Sequence, residues 1–223
     1  MDRSLLEQRY ARVRAGLPPH VKLIAVSKTR SVEEIRALYD LGHRAFGENY
    51  PQELKEKQPQ LPGDIEWHFI GNLQTNKVKY IAPFVHLVHT VDGTGLLDEL
   101  QKRAERAGRE LNVLVQVHIA EEETKHGLSP AEATELLHSW EAQRWSLVRP
   151  SGLMGMATNT PDMGQVRQEF NGLAALFHRL REEGRVDPTQ FTELSMGMSG
   201  DSAVAIAAGS TMVRVGSAIF GER

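Results

Sequence analysis

Leu23-Ile24-Ala25-Val26-Ser27-Lys28-Thr29 is an unbroken apolar run that ends in a hydroxyl, an amine and a second hydroxyl. A strand this apolar has no wet face, so it belongs in a parallel sheet covered on both sides. Lys28 then stands where the strand leaves the core. There, partial desolvation and nearby cations lower a lysine's pKa, and a neutral amine can attack an aldehyde to form a Schiff base. Taken alone, the feature is weak, because a lysine after a buried strand is usually just its first solvated residue.

Working outward from this strand, the same grammar repeats. Upstream, Leu5, Leu6, Tyr10 and Val13 keep helical spacing until Gly16 and the Pro18-Pro19 pair. Downstream, Ser31 and Glu34 form a capping box, Ile35, Leu38 and Leu41 make a buried stripe, and Gly42 ends the helix. Arg44 to Glu48 reads as a second strand, whose exit carries Glu48, Asn49 and Tyr50. Ile65 to Ile70 is a third strand, followed by a helix near Thr75 to Ile81. Val85 to Val91 is a fourth, followed by a helix with Leu96, Leu97, Leu100 and Ala104 and a Gly108 stop. Leu111 to Ile119 is the fifth. Ser129 and Pro130 then cap a helix carrying Ala133, Leu136, Leu137 and Trp140. Leu153-Met154-Gly155-Met156 ends the sixth strand, and Val166, Phe170, Leu173, Phe177 and Leu180 mark the longest helix. Thr192 to Met196, a small-residue helix over Ser202 to Ala208, and Thr211 to Val215 complete the series, with Gly216 to Gly221 at the last exit.

Eight strands, each followed by a helix or helical turn without a linker, predict a single (β/α)8 TIM-type barrel over residues 1–223 with an N-terminal helix. An open doubly wound sheet is the alternative, but Ser-Lys-Thr-Arg-Ser after the first strand is not the glycine-rich phosphate turn of that architecture. In a barrel the chemistry is built at the C-terminal strand ends, so Lys28, Glu48-Asn49-Tyr50, His68, Met154, Ser195 and Arg214 are all expected at one mouth.

Composition narrows the function. With 26 basic and 29 acidic residues interspersed and a net charge of −3, no basic field points to nucleic acid or anionic lipid. The absence of Cys excludes disulfides, thiolate nucleophiles and sulfur-ligated metals. The charged start Met1 to Glu7 lacks an apolar signal core and no run reaches membrane-spanning length, which leads to the expectation of a cytoplasmic protein. The nine histidines yield no HExxH or three-residue metal set, and His86 and His89 fall on opposite faces of a strand. His68 is the one to watch, although a satisfied strand histidine explains it. No nucleophile elbow or Walker loop is present, and Glu121-Glu122-Glu123 reads as a solvated loop.

A second chemical signal lies at the C-terminal end. Gly216 and Ser217 directly follow a strand, where backbone amides can approach a phosphate, and Ser195 to Asp201 is the matching loop after strand seven. Small-residue turns account for either loop alone. Both together, opposite a strand-one lysine, are less easily dismissed.

These residues lie in longer stretches: AVSKTR at Ala25 to Arg30, AFGENY at Ala45 to Tyr50, WHFIGNLQTNK at Trp67 to Lys77, GLMGMA at Gly152 to Ala157, LSMGMSGD at Leu194 to Asp201 and GSTMVRVGSAIFGER at Gly209 to Arg223. By them the sequence resembles the YggS/PROSC family of pyridoxal phosphate homeostasis proteins, whose fold is the barrel domain of alanine racemase and other fold-type III enzymes. The resemblance implies that Lys28 holds pyridoxal 5′-phosphate (PLP) as an internal aldimine, with Asn49 beside the ring and Ser199, Gly216 and Ser217 at the phosphate; Met154 and Ser195 join the expected cofactor-binding set. Arg214 faces the pyridine nitrogen in this reading. An arginine cannot give up its proton, so it donates a hydrogen bond and leaves that nitrogen unprotonated, a weak electron sink. The other reading of Arg214 is an ion pair with a carboxylate inside the barrel. Val117-His118-Ile119-Ala120 departs from the family's more polar strand end and is assigned no role.

Three functional classes stay open: a cofactor-holding protein of PLP (vitamin B6) homeostasis that affects amino-acid metabolism, a PLP-dependent amino-acid racemase or related enzyme, and a Schiff-base aldolase. The first is favoured. A PLP racemase needs a second acid or base on the far face of the ring, which in the racemases comes from another domain. The expectations are a monomer with negligible turnover, no metal, and PLP, amino acids and transient PLP-accepting proteins as partners.

Overall fold

The computed structural model describes residues 2–122 and 124–222; Met1, Glu123 and Arg223, which fall in stretches discussed above, lie outside the described residues. The strands are β1 (Lys22–Val26), β2 (Ala45–Glu48), β3 (Glu66–Phe69), β4 (Leu87–Val91), β5 (Leu111–His118), β6 (Val148–Met156), β7 (Glu193–Ser195) and β8 (Met212–Val215). They pair in parallel in sequence order, and β8 returns to β1 with Leu23 opposite Val213, closing the barrel. The helices are α1 (Arg3–Ala15), α2 (Val32–Asp40), α3 (Pro51–Lys57), α4 (Thr94–Ala107), α5 (Pro130–His138), α6 (Met163–Glu182), α7 (Ser202–Ala207) and α8 (Ser217–Phe220).

Two-residue periodicity divides each strand between two environments. Ile24, Ala45, Leu87, Leu114, Met154 and Met212 point inward and form a separate apolar cluster inside the barrel. Leu23, Ala25, Phe46, Trp67, Phe69, Val88, Val113 and Leu153 point outward into the core shared with the helices. The α6 stripe of Val166, Phe170, Leu173, Phe177 and Leu180 is buried as its spacing predicts, each side chain contributing about 1.5–3 kcal/mol. Capping boxes start α2 at Ser31/Glu34 and α5 at Ser129/Glu132.

Several elements differ in detail from the expectation. Thr75–Tyr80 is a 3-10 helix rather than an α-helix. In α1 only Leu6 is fully buried and Leu5 faces solvent. Val85 and His86 lie ahead of β4, and Ile119 lies beyond β5. Trp140 falls past the end of α5, where its ring lies 5.1 Å from that of Trp145. In the acidic run, Glu122 is no merely solvated group: its carboxylate accepts from Asn159 N–H at 2.8 Å and pairs with Lys125 at 2.9 Å. Among the described residues, no helix is long and apolar enough to cross a membrane.

Candidate functional site

The exit of β1 is held from outside the barrel. Ser27 points outward and its Oγ donates to Glu48 Oε1 at 2.7 Å; Lys57 Nζ from α3 donates to the same oxygen at 2.8 Å, to Ser27 O at 2.9 Å and to Glu53 at 2.6 Å. Glu53 also accepts from Thr29 N–H at 2.6 Å. Thr29 has φ 62°, the only positive φ at a non-glycine among the described residues. Such a conformation costs about 1–3 kcal/mol and persists where its surroundings over-determine it. The consequence is a fixed turn that presents half-buried Lys28 at the barrel mouth.

The mouth holds a cavity of about 340 Å³, lined by Lys28, Asn49, Ser199, Arg214, Gly216 and Ser217 and by the apolar Val26, Ile70, Met156 and Met198. Past Lys28 it adjoins a hollow of about 420 Å³ edged by Arg30, Gly221 and Glu222. Asn49 is set by Gly71, whose place no larger residue could take, since a Cβ there would lie 2.3 Å from Asn49 O. The buried Asn49 Oδ1 has no hydrogen-bond partner. On the opposite side, α8 starts immediately after Gly216, and Ser217 Oγ lies 3.4 Å from Ser199 Oγ. A Cβ on Gly216 would come 3.3 Å from Val26 Cβ, so the glycine keeps this cradle open.

Arg214 forms part of the cavity floor. Its guanidinium donates to Ser195 O at 3.0 Å, Ser195 Oγ at 2.6 Å and Gly155 O at 3.1 Å. It has no ion pair with a carboxylate among the described residues. Burial lowers its pKa to about 10, with Asp201 opposing, so it remains a cation near neutral pH.

Six of the eight residues read as cofactor contacts therefore share one cavity. Met154 and Ser195 do not line it: Met154 belongs to the apolar layer beneath, and Ser195 is fully buried under Arg214. Strand parity explains the methionine, because Met156 shares the face of Met154 and stands nearer the exit. Met198, Ile70 and Val26 were missed although each lies in or beside a quoted stretch. Glu48 turns away from the mouth into the Lys57 network, where burial raises its pKa against the lowering effect of Lys57 and Ser27. Tyr50 directly precedes α3 and is half exposed. His68 is not at the mouth. It is fully buried inside the barrel, with Nδ1 2.9 Å from His89 Nε2 and its ring 5.3 Å from that of His86, which precedes β4.

Comparison with known proteins agrees with this architecture. Residues 1–223 match the family described as alanine racemase, N-terminal domain. The pyridoxal phosphate homeostasis protein of Pasteurella multocida is 41% identical over 208 residues, which cover 91% of this chain and 87% of that one. PipY of Synechococcus elongatus PCC7942 superposes with a TM-score of 0.87 at 35% identity without PLP, and 0.85 at 33% identity with PLP bound. Each alignment covers 97% of this chain and 100% of PipY. The closed barrel, the family match over the full chain and this level of identity to a curated relative together place the chain in the pyridoxal phosphate homeostasis protein (YggS/PROSC) family.

Proposed function

We propose that this protein holds PLP covalently through Lys28 and serves intracellular PLP (vitamin B6) homeostasis rather than catalysis. One observation carries the reading: a single cavity brings together an amine, a cation that stays protonated, an unpartnered amide oxygen and a glycine-serine cradle at a short helix start. That donor set fits the cofactor. Lys28 would join its aldehyde, Gly216, Ser217 and Ser199 would hold its phosphate, and Arg214 and Asn49 would flank its ring. PipY, solved with PLP bound, supports the choice of ligand. Bound there, PLP supplies an aldehyde that exchanges with amines and a ring that withdraws electrons.

The lining of this cavity includes no carboxylate, histidine or tyrosine among the described residues, and Glu222 edges only the adjoining hollow on the near side of Lys28. This favours storage and transfer over racemisation. The reading extends to a cytoplasmic monomer that exchanges with amino acids and hands PLP to acceptor proteins, with effects on amino-acid metabolism.

Borohydride reduction of the PLP-loaded protein, followed by peptide mass mapping, is expected to fix a pyridoxyl group on Lys28 and leave Lys77, Lys79 and Lys125 unmodified. An adduct on one of these with Lys28 unmodified would overturn the assignment. Chiral chromatography of L-amino acids incubated with stoichiometric protein should detect no enzymatic conversion; a kcat near about 1 per second would restore the racemase reading.

A further inference from the structure

Below the cavity, four side chains from four strands make contact end to end. Arg214 Nη1 lies 2.6 Å from Ser195 Oγ, Ser195 Oγ 3.1 Å from His89 Nδ1, and His89 Nε2 2.9 Å from His68 Nδ1. His68 Nε2, buried and without a hydrogen-bond partner, faces Glu66 Oε2 at 4.0 Å near the N-terminal end of the barrel. All but Glu66 are at most 4% exposed.

The direction of this column follows from its first member. Arginine only donates, so Ser195 Oγ accepts, and the serine's own hydrogen goes to His89 Nδ1. His89 is then protonated on Nε2 and donates to His68, whose remaining hydrogen is on Nε2 and points to Glu66. Burial keeps both rings neutral, lowering His68 to about 4 and His89 well below the ordinary histidine value. Each dipole turns its negative end to the guanidinium and its positive end to Glu66, whose carboxyl is held down to about 2 by His68 first and Lys22 next. A buried cation without an adjacent anion is costly, and the column compensates by turning its aligned dipoles toward it, with the Glu66 carboxylate 4.0 Å beyond the far end. The same polarity argues against a metal at Glu66, His68 and His86, whose ligand atoms lie within 4.8 Å of one another: the nitrogen that would bind the ion carries a hydrogen, and Lys22 Nζ lies 3.5 Å from Glu66.

We propose that Ser195, His89 and His68 are positioning residues that hold the Arg214 guanidinium in place at the cofactor cavity without touching the ligand themselves. The inference rests on reading that cavity as a PLP site.

Two measurements test it. Long-range 1H–15N spectra of the histidine rings, without added PLP, should show His68 and His89 neutral and protonated on Nε2; an Nδ1–H form of His89, or a cationic ring at pH 7, would overturn the column. The visible band of the PLP-loaded protein is then followed from pH 6 to 9 in wild type, Ser195→Ala, His89→Leu and His89→Gln. In the first two variants, a loosened arginine should weaken PLP retention at least fivefold and add a pH-dependent step absent from wild type. Glutamine, with both a donor and an acceptor, should restore the wild-type profile. If His89→Leu does not fold, Ser195→Ala decides, since it removes a single oxygen. Wild-type band and retention in folded Ser195→Ala would sink the column alone. Failure of the wild type to take up PLP would sink the cofactor reading and the column's role with it.

Discussion

Lys57 and Arg214 are both buried cations, and the fold treats them in opposite ways. Lys57, the last residue of α3 and outside the barrel wall, is neutralised by Glu48 at 2.8 Å and Glu53 at 2.6 Å. Arg214, inside the wall, receives only a hydroxyl and two carbonyl oxygens. The first is a closed structural unit whose effect on the site is indirect, through the Thr29 turn. The second keeps its charge for whatever enters the cavity. A buried charge paired directly with carboxylates locks the architecture, whereas one hydrogen-bonded only to neutral oxygens stays available to a ligand.

Breaking the closed unit should have the largest effect. Lys57→Met leaves Glu48 buried without its partner, and chemical denaturation should show a loss of about 3–5 kcal/mol; a loss below about 1 kcal/mol would mean that the ion pair does not secure the β1 exit. A third kind of buried group, neutral by design, comes next. His43 Nε2 donates to Ala45 O at 2.8 Å and Nδ1 accepts from Tyr10 at 3.3 Å, while burial lowers its pKa from 6.5 to about 4. The unfolded chain takes up this proton first, so the stability due to neutral His43 is complete above pH 6.5 and is lost as pH falls toward 4. The stability gap between wild type and His43→Gln should narrow by about 3 kcal/mol over that window.

The open side is expected to respond in ligand retention instead. Gly216→Asp fills the cradle and adds a negative charge where a phosphate would sit, so PLP retention should fall at least about tenfold, roughly 1.4 kcal/mol, with the fold intact; equal retention would move the phosphate elsewhere. The smallest effect on stability is expected at Arg214 itself. Arg214→Met removes a costly buried charge, and the unfolding free energy should change by less than about 1 kcal/mol while PLP retention drops. A large loss of stability there would show that Arg214 is as structural as Lys57, and the contrast would fail.

The sequence by itself determined the alternation, the caps and most of the rim. Short apolar runs alternating with helical stretches read as covered parallel strands, and Lys28, Gly216 and Ser217 are rim residues because they follow such runs within two positions. It could not determine which residues meet across the barrel. Periodicity assigns a face to each side chain but not a height along the axis, which depends on the strand tilt and register of a closed sheet. His68 therefore read as a mouth residue, and Met154 took the place that Met156 occupies. Glu48 was grouped with Asn49, although consecutive strand residues point to opposite faces. His68, His89 and Ser195 are 21 and 106 residues apart in successive pairs, and only the register of β3, β4, β7 and β8 joins them into one column beneath Arg214.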